Sequence, residues 1–118
     1  MIRRGSIHLI DFEPAPEGSE ATKVRPGVIV SNDSANASAS RHGRGVITVC
    51  PVTSNVNRVL PFQVLLPLSE TNGLDIDSKV QAEQFRAIDV RYVGARIGAL
   101  SREQLAALDD ALRLHLGL

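Results

Sequence analysis

Two short segments that lie far apart in the chain carry side chains suited to binding a phosphate group. Arg25-Pro26 stands at the start of an apolar run, and Thr53-Ser54 stands at the end of another. An arginine guanidinium is a planar fork of donors that matches phosphate oxygens, and a threonine hydroxyl can add one donor. Together these residues could stabilise charge on a phosphate. The same pattern is also compatible with a solvated Arg25 and with ordinary turn chemistry at Thr53-Ser54.

The other candidates for chemistry are isolated residues rather than motifs. The sequence has no glycine-rich phosphate-binding motif, no zinc-protease motif and no serine-hydrolase motif. We expect the single cysteine, Cys50, to be a small buried hydrophobe, and His115 to have a structural role in the last turn of a helix. His8 and His42 could each transfer a proton, although an isolated histidine is more often structural.

Length and composition predict a single globular domain over residues 1–118, since 43% of the residues are hydrophobic and 22% are charged. A lone cysteine excludes an internal disulfide framework. No apolar run approaches the ~20 residues of a membrane-spanning helix. We therefore expect a cytoplasmic protein with no membrane partner.

The charges are balanced in number but not in position. The chain has 13 basic and 13 acidic residues, which argues against a globally basic nucleic-acid-binding protein. No acidic residue lies between Asp33 and Glu70, whereas Arg41, Arg44 and Arg58 do. The sequence therefore allows a local basic patch on a neutral protein, and it equally allows three solvated loop arginines.

Short apolar runs bounded by turn residues predict a series of strands. They are Gly5–Phe12, Arg25–Asn32, Gly45–Ser54, Phe62–Leu66, Ser78–Phe85 and Ala95–Leu100. Pro51 within the third run implies an edge position, a bulge or a bend. Asn72-Gly73 marks a turn, and Ala87–Val93 is ambiguous between a helical turn and a strand.

Two connections and one helix complete the predicted elements. Glu13–Val24 has two prolines and few large apolar side chains, which is typical of a long functional loop. Asp33–Arg44 is small and polar; Asp33 could cap a short helical turn there, but we interpret the segment as a loop. Ser101 and Gln104 form a capping box before a leucine stripe, which predicts a helix over Arg102–Leu116. These elements indicate a mainly β fold, a small antiparallel barrel with a C-terminal helix packed on it.

Several short motifs, in a fixed order, make the chain similar to a known family. They are Arg4-Gly5, Gly18-Ser19-Glu20, Arg25-Pro26, Pro51-Val52-Thr53-Ser54, Pro61-Phe62-Gln63-Val64 and Ala82-Glu83-Gln84-Phe85-Arg86-Ala87-Ile88. On these motifs the sequence resembles the MazF/PemK (Kid) toxins of bacterial toxin–antitoxin systems over nearly its whole length. The resemblance implies an SH3-like barrel of the CcdB/MazF type, which agrees with the predicted strands.

The resemblance also implies an activity, a site and partners. Family members are homodimeric endoribonucleases that cleave single-stranded RNA at short preferred sequences without a metal or other cofactor. They leave a 2′,3′-cyclic phosphate and a 5′-hydroxyl. By motif, Arg25 and Thr53 match the catalytic arginine and threonine, and Glu20 matches a loop glutamate required in some relatives. The RNA-contacting regions correspond to Ser19, Lys23, Asn32, Ser54, Asn55, Gln84 and Arg86. The implied partners are RNA, a second copy of the chain and a cognate MazE-like antitoxin.

The match has two departures, and other functions share the fold class. Family members often carry an acidic residue after Arg-Gly and an aromatic two positions later, where this chain has Ser6 and His8. Only 3% of the residues are aromatic, which limits base stacking and leaves the RNA sequence preference open. The alternatives are a CcdB-type toxin that binds a topoisomerase without nuclease activity, and a non-catalytic SH3-like adaptor. Arg25-Pro26 with Thr53-Ser54 favours the nuclease, and the scarcity of aromatic residues argues against the adaptor.

Overall fold

The computed structural model describes residues 2–13 and 23–118, which form seven strands and two α-helices. The strands are β1 (Ser6–Asp11), β2 (Val24–Ile29), β3 (Val46–Thr53), β4 (Gln63–Leu66), β5 (Ser78–Gln81), β6 (Arg86–Asp89) and β7 (Val93–Ala99). The helices are α1 (Asp33–His42) and α2 (Arg102–Leu116). Each predicted strand is confirmed, but the run at Ser78–Phe85 leaves the sheet at Gln81 and continues as a 3₁₀ turn, Ala82–Gln84. The ambiguous segment contains β6 and a second 3₁₀ turn, Val90–Tyr92.

The strands pair antiparallel in the order β4-β5-β3-β2-β1-β7, and β6 also pairs with β3. One side of β3 pairs with β2. The other side pairs with β6 over Val46–Val49 and then with β5 over Val52–Thr53. Pro51 lies where β3 changes partner, a position that tolerates a residue with no backbone N–H. The prediction of an irregular position for Pro51 is confirmed.

The two faces of the sheet enter separate apolar clusters, because successive side chains of a strand point to opposite faces. One face contributes Val28 and Cys50 to a cluster completed by Leu108 of α2. The other face forms a second cluster together with Ala39 of α1. That cluster consists of Ile10, Phe12, Ile29, Ala39, Ile47, Val49 and Ile88.

The segment Asp33–Arg44, which the sequence analysis interprets as a loop, is mostly the helix α1, so that prediction was wrong. The side-chain oxygen of Asn32 accepts a hydrogen bond of 2.8 Å from a backbone N–H of the first turn and caps the helix. Gly43 ends it with a left-handed φ of 63°. The possible cap at Asp33 was the one helical signal, because the buried side chains of α1, Asn36 and Ala39, are small and do not form a large apolar stripe.

The C-terminal helix has the predicted bounds and the predicted cap. The hydroxyl oxygen of Ser101 accepts a hydrogen bond from the backbone N–H of Gln104 at 3.1 Å. The side-chain oxygen of Gln104 accepts one from the backbone N–H of Ser101 at 2.9 Å. Leu108 is fully buried in the first cluster, whereas Leu116 at the end of the leucine stripe is exposed. Within residues 2–13 and 23–118, no helix is long and apolar enough to cross a membrane.

Candidate active site

The pairing of β2 with β3 brings Arg25 and Thr53 to the same end of the sheet. Gly27 of β2 pairs with Pro51 of β3 at the end of this ladder. Arg25 lies two residues before Gly27 and Thr53 lies two residues after Pro51, so both lie just past the same end of the antiparallel ladder. Residues two apart in a strand point to the same face, so both side chains belong to one face. On the other side of β3, Thr53 is paired with Lys79 of β5. The register therefore brings together the two segments that the phosphate-binding hypothesis requires.

The Arg25 guanidinium lies against an aromatic ring that it shares with a second arginine. Arg25 Cζ is 5.1 Å from the centroid of the Phe12 ring, and Arg86 Cζ is 5.2 Å from the same centroid. Arg86 is brought there by β6, where it faces Val49 of β3. Among the residues that the structure describes, neither arginine forms an ion pair, and Arg25 Nε is buried without a hydrogen-bond partner. Two guanidinium groups therefore lie side by side at this end of the sheet, and each is a group that can bind an anion.

Gly27 makes the space that the Phe12 ring occupies. A Cβ atom at Gly27 would lie 2.8 Å from Phe12 Cζ and 2.8 Å from Ile10 Cδ1, which is closer than real Cβ contacts allow. Gly27 lies two residues after Arg25 on the same face of β2. The ring therefore packs over β2 directly beside Arg25.

The segment after β3 is held in place by buried polar side chains. Lys79, only 8% exposed, donates a hydrogen bond of 2.5 Å from Nζ to the carbonyl oxygen of Arg58. Gln63 accepts a hydrogen bond of 3.0 Å from the backbone N–H of Leu60 and donates one of 2.6 Å to Glu83 Oε2. Glu83 Oε1 is buried and has no partner within the described part of the chain. Lys79 and Gln63 thus fix the path of the chain next to the Arg25–Thr53 pair.

Most of the predicted RNA-contacting residues lie at or within two residues of the strands that form this end of the sheet. They are Lys23, Ser54, Asn55, Gln84 and Arg86. All of these except Arg86 are exposed, and Arg86 is half-buried against Phe12. The backbone N–H of Asn55 donates a hydrogen bond of 3.3 Å to Thr53 Oγ1. This contact uses an acceptor position of the hydroxyl and leaves its proton free to be donated.

One described site candidate, Asn32, lies away from this end of the sheet, and two others are not among the residues that the structure describes. Asn32 lies beyond the far end of β2, roughly 20 Å from Arg25 along a strand that rises ~3.3 Å per residue. Its side chain caps α1. Ser19 and Glu20 lie outside the described residues.

Two residues considered for chemistry are part of the packed interior. Cys50 is fully buried, and its burial, together with the charge of Glu83, raises the pKa of the thiol to about 12. The prediction of a buried hydrophobe is confirmed. His8 is 2% exposed, with Nδ1 3.1 Å from the carbonyl oxygen of Gly94 and Nε2 2.9 Å from Ser6 Oγ. Burial lowers the pKa of His8 and so favours the neutral ring, whereas the hydrogen bond with the Gly94 carbonyl oxygen acts in the opposite direction.

The other two histidines lie on the helices. His42 is exposed in the last turn of α1, with Nδ1 2.8 Å from the carbonyl oxygen of Ser38. His115, in the last turn of α2, lies 6.4 Å from the Phe62 ring and 6.1 Å from the Phe85 ring, measured between centroids. Both contacts are structural, as expected for His115.

Sequence reasoning missed Phe12 and Lys79 as parts of the site. Phe12 reads as an apolar strand residue, and Lys79 reads as an exposed polar residue in an alternating strand. Their relation to Arg25 and Thr53 depends on which strands pair and in which register. The one local signal is Gly27 inside an apolar run, since a glycine in a strand often marks a close approach.

The fold and the site can be compared with known proteins. The sequence matches the PemK-like, MazF-like toxin family of type II toxin–antitoxin systems over residues 3–116. The chain belongs to this family. It is 57% identical over 118 residues to Endoribonuclease MazF9 of Mycobacterium tuberculosis (strain ATCC 25618 / H37Rv), covering 100% of this chain and 98% of that protein. The chain is thus a homologue of MazF endoribonuclease toxins.

Solved structures of MazF toxins share the fold. The Mycobacterium tuberculosis toxin MazF-mt6 superposes with a TM-score of 0.74 at 27% sequence identity, covering 96% of this chain and 97% of that chain. A MazE-MazF crystal structure from Deinococcus radiodurans also gives a TM-score of 0.74, at 26% identity, covering 99% of this chain and 96% of that chain. The predicted fold, a mainly β MazF-type domain with a C-terminal helix, is confirmed.

Proposed function

We propose that the chain is the toxin of a toxin–antitoxin pair and a metal-independent, sequence-selective endoribonuclease that cleaves single-stranded RNA. The 2′-hydroxyl of the substrate attacks the adjacent phosphorus, a bond forms between the 2′-oxygen and phosphorus, and the bond to the 5′-oxygen breaks. The products are a 2′,3′-cyclic phosphate and a 5′-hydroxyl. The observation that carries the proposal is the β2–β3 register, which puts Arg25 and Thr53 at the same end of the sheet, in a chain of the MazF-like family.

The two residues have complementary roles in this reaction. The Arg25 guanidinium donates hydrogen bonds to the non-bridging oxygens and stabilises the negative charge that develops on them. The Thr53 hydroxyl donates to an oxygen of the same phosphate. Donors that are already in place cost no reorganisation when the charge develops, which is the main source of catalysis by such groups.

Two protons must move in the reaction. Glu20 is the proposed base, which takes the proton of the 2′-hydroxyl; this assignment rests on the motif. The departing 5′-oxygen takes up a proton from the Arg25 guanidinium or from solvent. Because the nucleophile belongs to the ribose, the protein needs no serine, cysteine or metal-bound nucleophile, and DNA lacks the group that attacks.

The RNA strand runs across the positively charged end of the sheet. Its proposed contacts are Ser19, Lys23, Ser54, Asn55, Gln84 and Arg86, which flank the Arg25–Thr53 pair in sequence or in the sheet. Lysine and arginine side chains bind phosphates, whereas serine, asparagine and glutamine can read base edges. With few aromatic side chains, base recognition depends more on hydrogen bonds and on the planar arginine than on stacking.

The proposed partners follow from the same surface. We propose a homodimer and a cognate MazE-like antitoxin whose disordered acidic tail covers the first loop and Arg25 and competes with RNA. Solved MazE-MazF complexes of relatives support an antitoxin partner for this chain. An RNA substrate places the activity in the cytoplasm.

The test uses the purified chain, a long single-stranded RNA and its matched DNA, with EDTA present throughout. We expect RNA cleavage at a short preferred sequence, ends that carry a 2′,3′-cyclic phosphate and a 5′-hydroxyl, and intact DNA. Cleavage of the DNA, or loss of RNA cleavage in EDTA, would contradict the proposed chemistry. Topoisomerase binding without RNA cleavage would favour the CcdB-type alternative.

A further inference from the structure

We propose that Phe12 is a positioning residue for the catalytic arginine: its ring orients the Arg25 guanidinium while leaving the hydrogen-bond donors of that group free for the phosphate. The inference rests on the proposed function, in which Arg25 binds the scissile phosphate. It adds a residue that acts on Arg25 rather than on RNA.

Five arginines of the chain contact a carboxylate or an aromatic ring among the described residues, and Arg91 contacts both, with Cζ 5.4 Å from the Tyr92 ring centroid. Arg4, Arg91 and Arg113 each donate to a carboxylate, those of Asp109, Asp89 and Asp110 respectively. Arg25 and Arg86 instead lie against the Phe12 ring, with Cζ atoms 5.1 Å and 5.2 Å from its centroid. Neither of these two pairs with a carboxylate among the residues that the structure describes.

The difference matters for a group that must bind a phosphate. A carboxylate partner orients a guanidinium by occupying its N–H donors, and it also cancels the positive charge. An aromatic face attracts the cation through the ring quadrupole and occupies none of the donors. Arg25 Nε is buried without a hydrogen-bond partner within the described ranges, so the nitrogens proposed to bind the phosphate are the two terminal ones of the guanidinium. The ring thus fixes the direction of Arg25 and leaves its donors for the substrate.

The ring itself is firmly placed. Phe12 is 5% exposed and belongs to the second apolar cluster. Its backbone N–H donates a hydrogen bond of 3.0 Å to the carbonyl oxygen of Lys23, which ties it to the start of β2. Gly27 leaves the space that the ring fills, since a Cβ there would lie 2.8 Å from Phe12 Cζ. A rigid ring is the condition for orienting a long, flexible side chain such as that of Arg25.

The decisive test changes the electrons of the ring and keeps its size. Phe12 is replaced by phenylalanines with an increasing number of ring fluorines, which weaken the quadrupole that attracts a cation. We expect kcat for RNA cleavage to fall stepwise along the series, while KM changes less and the melting temperature stays close to that of the parent protein. A kcat that is constant across the series would overturn the proposal.

Phe12→Leu removes the ring and keeps an apolar side chain. We expect kcat to fall on the order of 10²-fold, the cost of a misplaced catalytic group. We also expect the ring-current shift of the Arg25 Hε proton to disappear from the NMR spectrum. The matched control is Ile47→Val, a core change in the same cluster further along β3, which should leave kcat and that proton shift unchanged.

Failure of this inference is distinguishable from failure of the proposed function. If the parent protein cleaves RNA and Arg25→Ala does not, the proposed function stands, and the Phe12 series alone decides the positioning role. If the ring-current shift persists in Phe12→Leu, the ring does not face Arg25 and the inference is wrong. If Phe12→Leu does not fold, the fluorinated series still decides, because its members keep the volume of the ring.

Discussion

The Arg25 guanidinium lies against the Phe12 ring and forms no ion pair in the described part of the chain. Thr53 lies at the same end of the sheet, and its contact with the backbone N–H of Asn55 leaves its hydroxyl proton free. The two side chains can therefore approach one phosphate from neighbouring strands. Such groups accelerate the reaction because they are in place before the substrate binds, whereas a mobile donor would have to be ordered during the reaction.

Arg25→Ala removes the main source of positive charge at the proposed site. We expect kcat to fall by at least ~10²–10³-fold, because one preorganised donor typically contributes that much. Arg25→Lys keeps the charge but loses the planar fork, so we expect only partial recovery. Single-turnover cleavage of a labelled RNA measures the loss, and circular dichroism checks the fold. Turnover like that of the parent protein in Arg25→Ala would refute the assignment.

Thr53→Val keeps the shape of the side chain and removes the hydroxyl. We expect a fall in kcat of ~10²-fold with little change in KM, since the lost hydrogen bond forms mainly in the transition state. Thr53→Ser, which retains a hydroxyl, should keep most of the activity. Equal cleavage rates for Thr53→Val and the parent chain would give Thr53 a structural role only.

Among the elements, α1 differs most from the prediction. Its N-terminal cap gives the Asn32 side chain a structural role, whereas the sequence suggests a role in RNA contact. The family resemblance implies RNA contact at Asn32, whereas its side-chain oxygen caps α1 in the structure. The cap lies at the end of β2 that is remote from Arg25. β3, in contrast, contributes directly to the proposed site. It pairs with β2 up to Pro51 and with β5 at its last two residues, where Thr53 is paired with Lys79.

Asn32→Ala removes the cap, and we expect the free energy of unfolding to fall by ~0.5–2 kcal/mol. RNA cleavage at saturating substrate should be unchanged, because the residue lies far from the proposed site. Asn32→Asp, another good cap, should restore stability. Urea denaturation and cleavage assays on both variants give the comparison. Reduced cleavage by Asn32→Ala at unchanged stability would instead indicate contact with RNA.

The whole molecule is neutral at the level of net charge, and its positive field is local. Arg25 and Arg86 share one ring, and the 13 basic residues are balanced in number by 13 acidic residues. A local positive field attracts an RNA strand or an acidic peptide to one part of the surface, without causing non-specific binding of nucleic acid over the whole surface. RNA and antitoxin should therefore compete for the same end of the sheet.

Global stability should depend on pH through His8. Burial lowers its pKa below the ordinary value of 6.5. At a pH well above 6.5 the ring is neutral in both the folded and the unfolded chain, so the free energy of unfolding is at its full value with respect to His8. As the pH falls through 6.5, the unfolded chain binds a proton that the folded chain does not, and the free energy of unfolding falls. The loss is about 1.4 kcal/mol for each unit by which the two pKa values differ.

Urea denaturation at about pH 7.5 and about pH 5.5 measures this loss. His8→Asn cannot titrate, and its amide can still donate a hydrogen bond to the carbonyl oxygen of Gly94, so the dependence should shrink. His42→Asn, a change at an exposed position of α1, should retain the dependence of the parent chain. An identical pH dependence in His8→Asn and the parent chain would show that His8 is not its source.

The sequence by itself determined the elements whose signals are local. Apolar runs between turn residues located the strands, and the Ser101–Gln104 capping box located α2, because alternation and capping involve neighbours within a few residues. Arg25 and Thr53 were recognisable as candidates from residue type and motif order. The helix α1 was not predicted, because its buried side chains are small and give no periodic apolar pattern.

Only the tertiary structure decided which of these candidates meet. The pairing of β2 with β3 puts Arg25 and Thr53 at the same end of the sheet, and the pairing of β3 with β5 adds Lys79. The chain at the end of β1 brings the Phe12 ring over Gly27. Strand pairing joins residues that are remote in the chain, and shifting a register by one residue reverses the face of every side chain. No local pattern encodes that choice, since it is made by burying both apolar clusters at once.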